Sequence, residues 1–274
     1  MRAHASLSRM TPALSIAAAQ TVPVRGAVDA NLEQHLRLAG IAARERAQVV
    51  VFPELSLTGY ELDLARDLAF SQTDPRLAPL VEMAASSSLI LIVGAPVRMG
   101  PLLHIGAFII HPDRAVDVYT KHHLGAFSSR AAVDGSVPPA EATVFHPGTL
   151  NPLVRIGGSM AAVAVCADTG RPSHSEAAAG RGARVYLASM FVIPSDFEPE
   201  VANLQACAAR HSMAVVLSNY GGPSGGLASG GRSAIWSAAG ERLAQLDRAG
   251  AGVVVAAETG AGWRTRTFML DGRG

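Results

Sequence analysis

The sequence predicts an α/β protein with mixed sheets. Short, wholly apolar runs alternate along the chain with segments whose apolar residues recur at helical spacing. Two neighbouring apolar runs, at 104–110 and 115–120, have no helical segment between them, which suggests antiparallel pairing beside the strand-helix alternation. A glycine-dense stretch at 221–231 is readable only as a loop.

Taken in order, the first apolar run, at 13–19, follows Arg2 and Arg9 and imitates a secretory leader, but it is short and interrupted by Ser15. It reads instead as a strand over 14–20, after which Val22-Pro23 opens a loop. Residues 1–12 are expected to form a loose tail and 13–274 one domain. Leu32, Leu36 and Ala39 mark a helix over 31–46, and Val49 to Phe52 a buried strand. A helix at 75–86 and a strand at 89–93 repeat the unit, followed by the paired strands at 104–110 and 115–120. The second half predicts strands at 160–165, 185–189, 214–218, 234–237 and 252–256, with helices at 173–181 and 200–211.

Composition narrows the function classes. The 274 residues are 49% hydrophobic and 16% charged, with a formal charge of +1 and no basic block, so the electrostatic footprint of a nucleic-acid or anionic-membrane binder is missing. No apolar stretch approaches the roughly 20 residues that span a bilayer. Two cysteines give neither a disulfide framework nor zinc-ligand spacing, and a reduced, cytoplasmic protein is expected.

Ligands of α/β proteins bind beyond the carboxyl ends of strands, and three such ends carry reactive side chains. Glu54 follows the apolar strand and Pro53; alone it reads equally as a capping or surface carboxylate. Lys121 follows the strand ending at Thr120, with His122 and His123 beside it; alone it reads as a lysine at a sheet edge. Cys166 stands where the run Val163 to Val165 gives out, and a lone cysteine is commonly a small buried hydrophobe. Together they gain meaning, because a thiol becomes a good nucleophile at neutral pH when a cation and a proton acceptor adjoin it.

The motifs Phe52-Pro-Glu-Leu-Ser-Leu-Thr-Gly-Tyr60, Tyr119-Thr-Lys-His-His-Leu124 and Val165-Cys-Ala-Asp168 with Pro172 resemble, in order, the three signature motifs of the nitrilase superfamily, the carbon-nitrogen hydrolases. Ala18-Ala19-Gln20, Asn31-Leu32, Asn219 and Gly231-Arg-Ser-Ala-Ile235 agree with it. Glu141, ahead of Pro147-Gly148, looks like the second glutamate of that family, which would hold Lys121 or the substrate. The resemblance implies a four-layer αββα sandwich, a homodimer or larger homo-oligomer, and no metal or cofactor. It also implies a mechanism: Glu54 as general base, Cys166 as nucleophile, and Lys121 with the Ala167 N–H as oxyanion donors.

Where many relatives have an aromatic residue and nitrile-cleaving ones often have Trp-Glu, this chain has Ala167-Asp168, which favours an amide or carbamoyl substrate over a nitrile. A nitrilase, an acyltransferase and a catalytically silent binding relative are the alternatives. Asp168 reads as a loop anchor or a substrate contact. Arg171 and His174 read as exposed residues at the start of a helix or as substrate contacts. Cys207 reads as a packing residue, and the 221–231 loop as a lid or an ordinary connection.

Overall fold

The computed structural model describes residues 13–127 and 138–270. The tail expected at 1–12 lies outside the described residues. Strands β1 (Ser15–Gln20), β2 (Val49–Val51), β3 (Ile90–Met99), β4 (Leu102–Ile110) and β5 (Val116–Thr120) form one sheet with β12 (Gly252–Thr259) and β13 (Gly262–Met269), in the order β13-β12-β1-β2-β3-β4-β5. The other sheet has the order β11-β10-β9-β8-β7-β6, from β6 (Leu153–Ile156), β7 (Ser159–Val165), β8 (Ala183–Ser189), β9 (Ala214–Ser218), β10 (Ala234–Trp236) and β11 (Arg242–Gln245). Both sheets are mixed: β1, β2 and β3 run parallel, as do β7, β8 and β9, while β3, β4 and β5 pair antiparallel as the adjacent apolar runs predict.

Strands buried on both faces need cover on both sides. Helices α1 (Val28–Arg44) and α3 (Ala78–Ser87) pack on the outer face of the seven-stranded sheet, and the short α2 (Ala65–Leu68) contacts β3. Helices α4 (Pro172–Gly180) and α5 (Phe197–His211) cover the outer face of the six-stranded one. The inner faces meet in a core of alternate strand residues, including Ile16, Val49, Val51, Ile92, Val163, Val165, Leu187 and Val216. Ala17, Val50 and Leu91, one residue along, face the helices. This is the αββα sandwich.

Sequence and structure differ at several strands. The expected strand 89–93 continues through Pro96 to Met99. Pro96 is tolerated because β2 stops at Val51, leaving no neighbouring strand to receive an N–H there; its carbonyl accepts instead from Phe70 N at 2.8 Å. β6, β11 and β13 carry no continuous apolar run and went unread; β13 lies at a sheet edge, where alternate residues face water.

Polar bonds register the two sheets at one end. Ser189 Oγ donates to the Phe52 carbonyl at 2.8 Å, Ser218 Oγ donates to the Ala19 carbonyl, and the Tyr220 hydroxyl donates to the Glu54 carbonyl. No described helix is long and apolar enough to cross a membrane.

Candidate active site

The three suspect strand ends converge at that registered end. Glu54 leaves β2 through Pro53, and the chain then turns with Leu55 at φ +53°. The turn lies directly on Gly94 of β3: a Cβ there would sit 2.4 Å from Leu55 N and from Pro53 O. Leu57 N donates to the Gly94 carbonyl at 3.0 Å. From the other side, buried His35 on α1 meets Ser56 Oγ through Nε2 at 2.8 Å and Asn31 O through Nδ1 at 2.6 Å, with its ring stacked on Phe52. Burial lowers the His35 pKa to about 4, against the opposing pull of its bond to Asn31, so it serves as a neutral strut.

Lys121 is fully buried and its Nζ donates to Glu54 Oε1 and to Glu141 Oε1, both at 2.7 Å. An ammonium has three protons, so two are committed and one remains. Burial opposes the Lys121 charge, but Glu54, Cys166 and Glu141 together raise its pKa above the ordinary lysine value. Glu141 is only 2% exposed and bonds Lys121 directly. It also accepts from the Tyr60 hydroxyl at 2.8 Å and from Gly125 N at 2.6 Å, and returns its own N–H to the Gly125 carbonyl at 3.1 Å.

Cys166 follows β7 directly with φ +44°, a strained value for a residue with a Cβ, and opens a short helical turn Cys166–Asp168. Thr169 pins the turn, donating to the Cys166 carbonyl from its N at 2.9 Å and its Oγ1 at 2.8 Å. The half-buried thiol lines a cavity of about 140 Å³ together with Ala167, Glu141 and Tyr60. Burial and the Glu54 charge push the thiol pKa well up, against the pull of Lys121, so the resting group is a thiol. Burial also raises Glu54, to about 7, despite the attraction of Lys121. Among the described residues its Oε2 is buried with no hydrogen-bond partner, and the Cys166 thiol donates to the Phe191 carbonyl at 3.7 Å. A carboxylate able to take a proton thus lies in the same buried cluster as the thiol. Ala167 N–H lies in the first turn of the helical segment, where backbone donors lack intrahelical acceptors.

Asp168 anchors this arrangement. Its buried carboxylate accepts from His123 N at 2.8 Å, His122 N at 3.2 Å, Val165 N at 3.3 Å, the Tyr119 hydroxyl at 2.7 Å and the ring Nδ1 of His123 at 2.9 Å. It thereby ties the chain just after Lys121 to the turn that holds Cys166. His174 departs from the exposed reading: it is 6% exposed on α4, with its ring bonded to the Tyr119 hydroxyl at 2.9 Å and the Tyr186 hydroxyl at 2.7 Å. Arg171 is exposed and Cys207 is buried in the α5 core.

Sequence reasoning missed Gly94, whose signal was a glycine inside an apolar strand, and Tyr60, which lay within a quoted motif without a stated role. It also missed Phe127, Phe191, Asp196 and Glu200, which line the cavity. The 221–231 loop touches the site through Tyr60, whose N–H donates to Ser224 Oγ at 2.8 Å, while Gly225 N donates to Glu61 Oε1 at 2.9 Å. Among the described residues no group of three or more His, Cys, Asp or Glu side chains is arranged to hold a metal ion.

The amidase from Nesterenkonia sp. AN1 shares this fold. Its cysteine-to-alanine variant in complex with butyramide superposes with a TM-score of 0.78 at 25% identity, covering 92% of this chain and 93% of that one. Its glutamate-to-glutamine variant, showing covalent addition of the acetamide moiety of fluoroacetamide at the active-site cysteine, gives a TM-score of 0.78 at 25% identity over the same shares of 92% and 93%. The glutamine-dependent NAD(+) synthetase of Mycobacterium leprae is 31% identical over 99 residues, 35% of this chain and 15% of that protein. That of Rhodobacter capsulatus is 29% identical over 190 residues, 65% of this chain and 31% of that protein. The chain therefore matches under a third of the length of these synthetases. The carbon-nitrogen hydrolase family matches residues 15–264, nearly the whole chain, and the protein belongs to that family.

Proposed function

We propose that the protein is a cysteine-dependent amidase acting on a small amide or carbamoyl compound. The observation that carries the reading is the buried Lys121 ammonium, held at 2.7 Å by both Glu54 and Glu141 beside the Cys166 thiol. Glu54 takes the thiol proton as sulfur attacks the carbonyl carbon. The third Lys121 proton and the Ala167 N–H receive the developing oxyanion. Glu54 then returns its proton to the leaving nitrogen, the C–N bond breaks, and ammonia or an amine departs from a thioester. Water attacks the thioester, giving its proton to Glu54, and the acid leaves as the thiol is regenerated. Side chains and water complete the cycle without a cofactor. Glu141 acts by holding Lys121 rather than by exchanging protons.

The amide ligands of the Nesterenkonia amidase structures support the amide over the nitrile as substrate. So does Ala167-Asp168 after the nucleophile, and so does an oxyanion pocket built to receive a carbonyl oxygen that a nitrile lacks. The same reading carries a cytoplasmic homodimer or larger homo-oligomer, checked by fractionation and light scattering. The deciding assay measures ammonia and acid from butyramide and from the matched nitrile. Faster turnover of the amide is expected, with none in Cys166→Ala at unchanged fold. A faster nitrile, or wild-type turnover in Cys166→Ala, would overturn the reading.

A further inference from the structure

The cavity is lined by chemically different groups. Cys166 and Glu141 line it, and Lys121 ties Glu141 to Glu54. Asp196, which is exposed, and Glu200, which is partly exposed, line it from the start of α5. Three more of its lining residues, Tyr60, Phe127 and Phe191, pack their rings on one another with centroids 5.1–5.7 Å apart.

Acids at a helix start are ordinarily explained by the helix dipole. Glu198, in the same turn, fits that explanation: it is exposed and pairs with Arg232 at 3.0 Å. Glu200 differs because it is only partly exposed and faces the cavity, where its contact is Thr169 Oγ1 at 3.4 Å. Burial and the neighbouring Asp196 charge both push its carboxyl upward. Among the described residues no Lys, Arg or His lines the cavity. Two carboxylates without a counter-charge, next to aromatic rings in a confined space, complement a cation.

We infer that Asp196 and Glu200 select amides whose acyl group carries a positive charge, an ammonium on a short alkyl chain. This rests on the amidase reading above. The scissile carbonyl reaches Cys166 while the ammonium lies against the two carboxylates.

The test compares 4-aminobutyramide, butyramide and succinamate, which present a cation, a neutral chain and an anion on similar backbones. The cationic amide is expected to exceed butyramide in kcat/KM by about tenfold or more, mainly through KM, with the gap narrowing as salt is added. Succinamate is expected to be the poorest. Glu200→Gln and Asp196→Asn should shrink the cation-to-neutral ratio. An equal fold-change for both amides, no preference in the wild type, or a preference for succinamate would overturn the inference. A second arm needs no turnover: propylammonium should slow iodoacetamide alkylation of Cys166 more than propanol does in the wild type, with the difference reduced in Glu200→Gln. Equal protection by the two would overturn it. If no amide is hydrolysed the amidase reading fails, and this second arm still decides the charge preference.

Discussion

Two buried polar clusters lie side by side at the registered end of the sandwich, and they are finished differently. Around Asp168 both carboxylate oxygens are occupied by donors from two strand ends and from Tyr119. Around Lys121 groups stay open among the described residues: one ammonium proton is uncommitted, Glu54 Oε2 has no partner, and Cys166 opens on a cavity. A satisfied buried network fixes geometry, whereas an unsatisfied one keeps capacity for a reacting atom. The difference separates residues expected to position from residues expected to react.

The largest effects should come from breaking the open cluster. Lys121→Ala strands two buried carboxylates, so it is expected to cost at least about 100-fold in kcat/KM and about 3–5 kcal/mol of stability in urea unfolding. Glu54→Gln keeps the shape and removes the base; its expected loss is also at least about 100-fold. Activity near wild type in either variant would place the chemistry elsewhere.

Asp168→Asn turns an amide donor toward backbone N–H groups that already donate. It is expected to destabilise by about 1–3 kcal/mol and to lower kcat by roughly tenfold with little change in KM. A selective rise in KM would instead mark Asp168 as a substrate contact. Gly94→Ala has no room beneath Leu55 and Pro53, so the Glu54 turn must shift. Its kcat is expected to fall by about tenfold or more, a 1 Å misplacement being costly in a catalytic site.

The smallest effects concern pH. With Glu54 raised to about 7, the base becomes competent as pH rises through 7, so the kcat/KM profile should show an acid limb there that is absent in Glu54→Gln. Stability carries two opposed slopes. Neutral buried Glu54 favours the fold at low pH, and that contribution is lost as pH rises from its unfolded value near 4.5 to about 7. His35, held down to about 4, favours the fold above its unfolded value near 6.5, and that contribution is lost as pH falls toward 4. The slopes offset each other in the wild type. Glu54→Gln should expose the His35 slope, up to about 2–3 kcal/mol between pH 4.5 and 6.5, measured by urea unfolding. A flat Glu54→Gln profile would remove His35 from the account.

The candidate groups were legible because they follow apolar strands, and the alternating pattern announces where strands end. In the fold Lys121 bonds Glu54 and Glu141, and Glu141 lines the cavity with Cys166. The supporting cluster was less legible. The burial of His174 depends on Tyr119 and Tyr186 converging from different sheets, which no local pattern encodes. Edge strand β13 was hidden by its alternation of exposed and half-buried residues, with no continuous apolar run. Asp196 and Glu200 stand in no motif of the sequence, and only the fold sets them at the cavity.

The division of the reactive groups between the sheets has a kinetic consequence. Glu54 and Lys121 issue from the seven-stranded sheet and Cys166 from the six-stranded one, so neither half of the sandwich holds all three. The chain lays down β1 to β5, builds the other sheet, and only then returns with β12 to pair with β1 across more than two hundred residues. Closing so distant a contact is slow. Bringing Glu54 and Lys121 beside Cys166 therefore requires the two sheets to dock, a contact between distant segments that neither sheet makes alone.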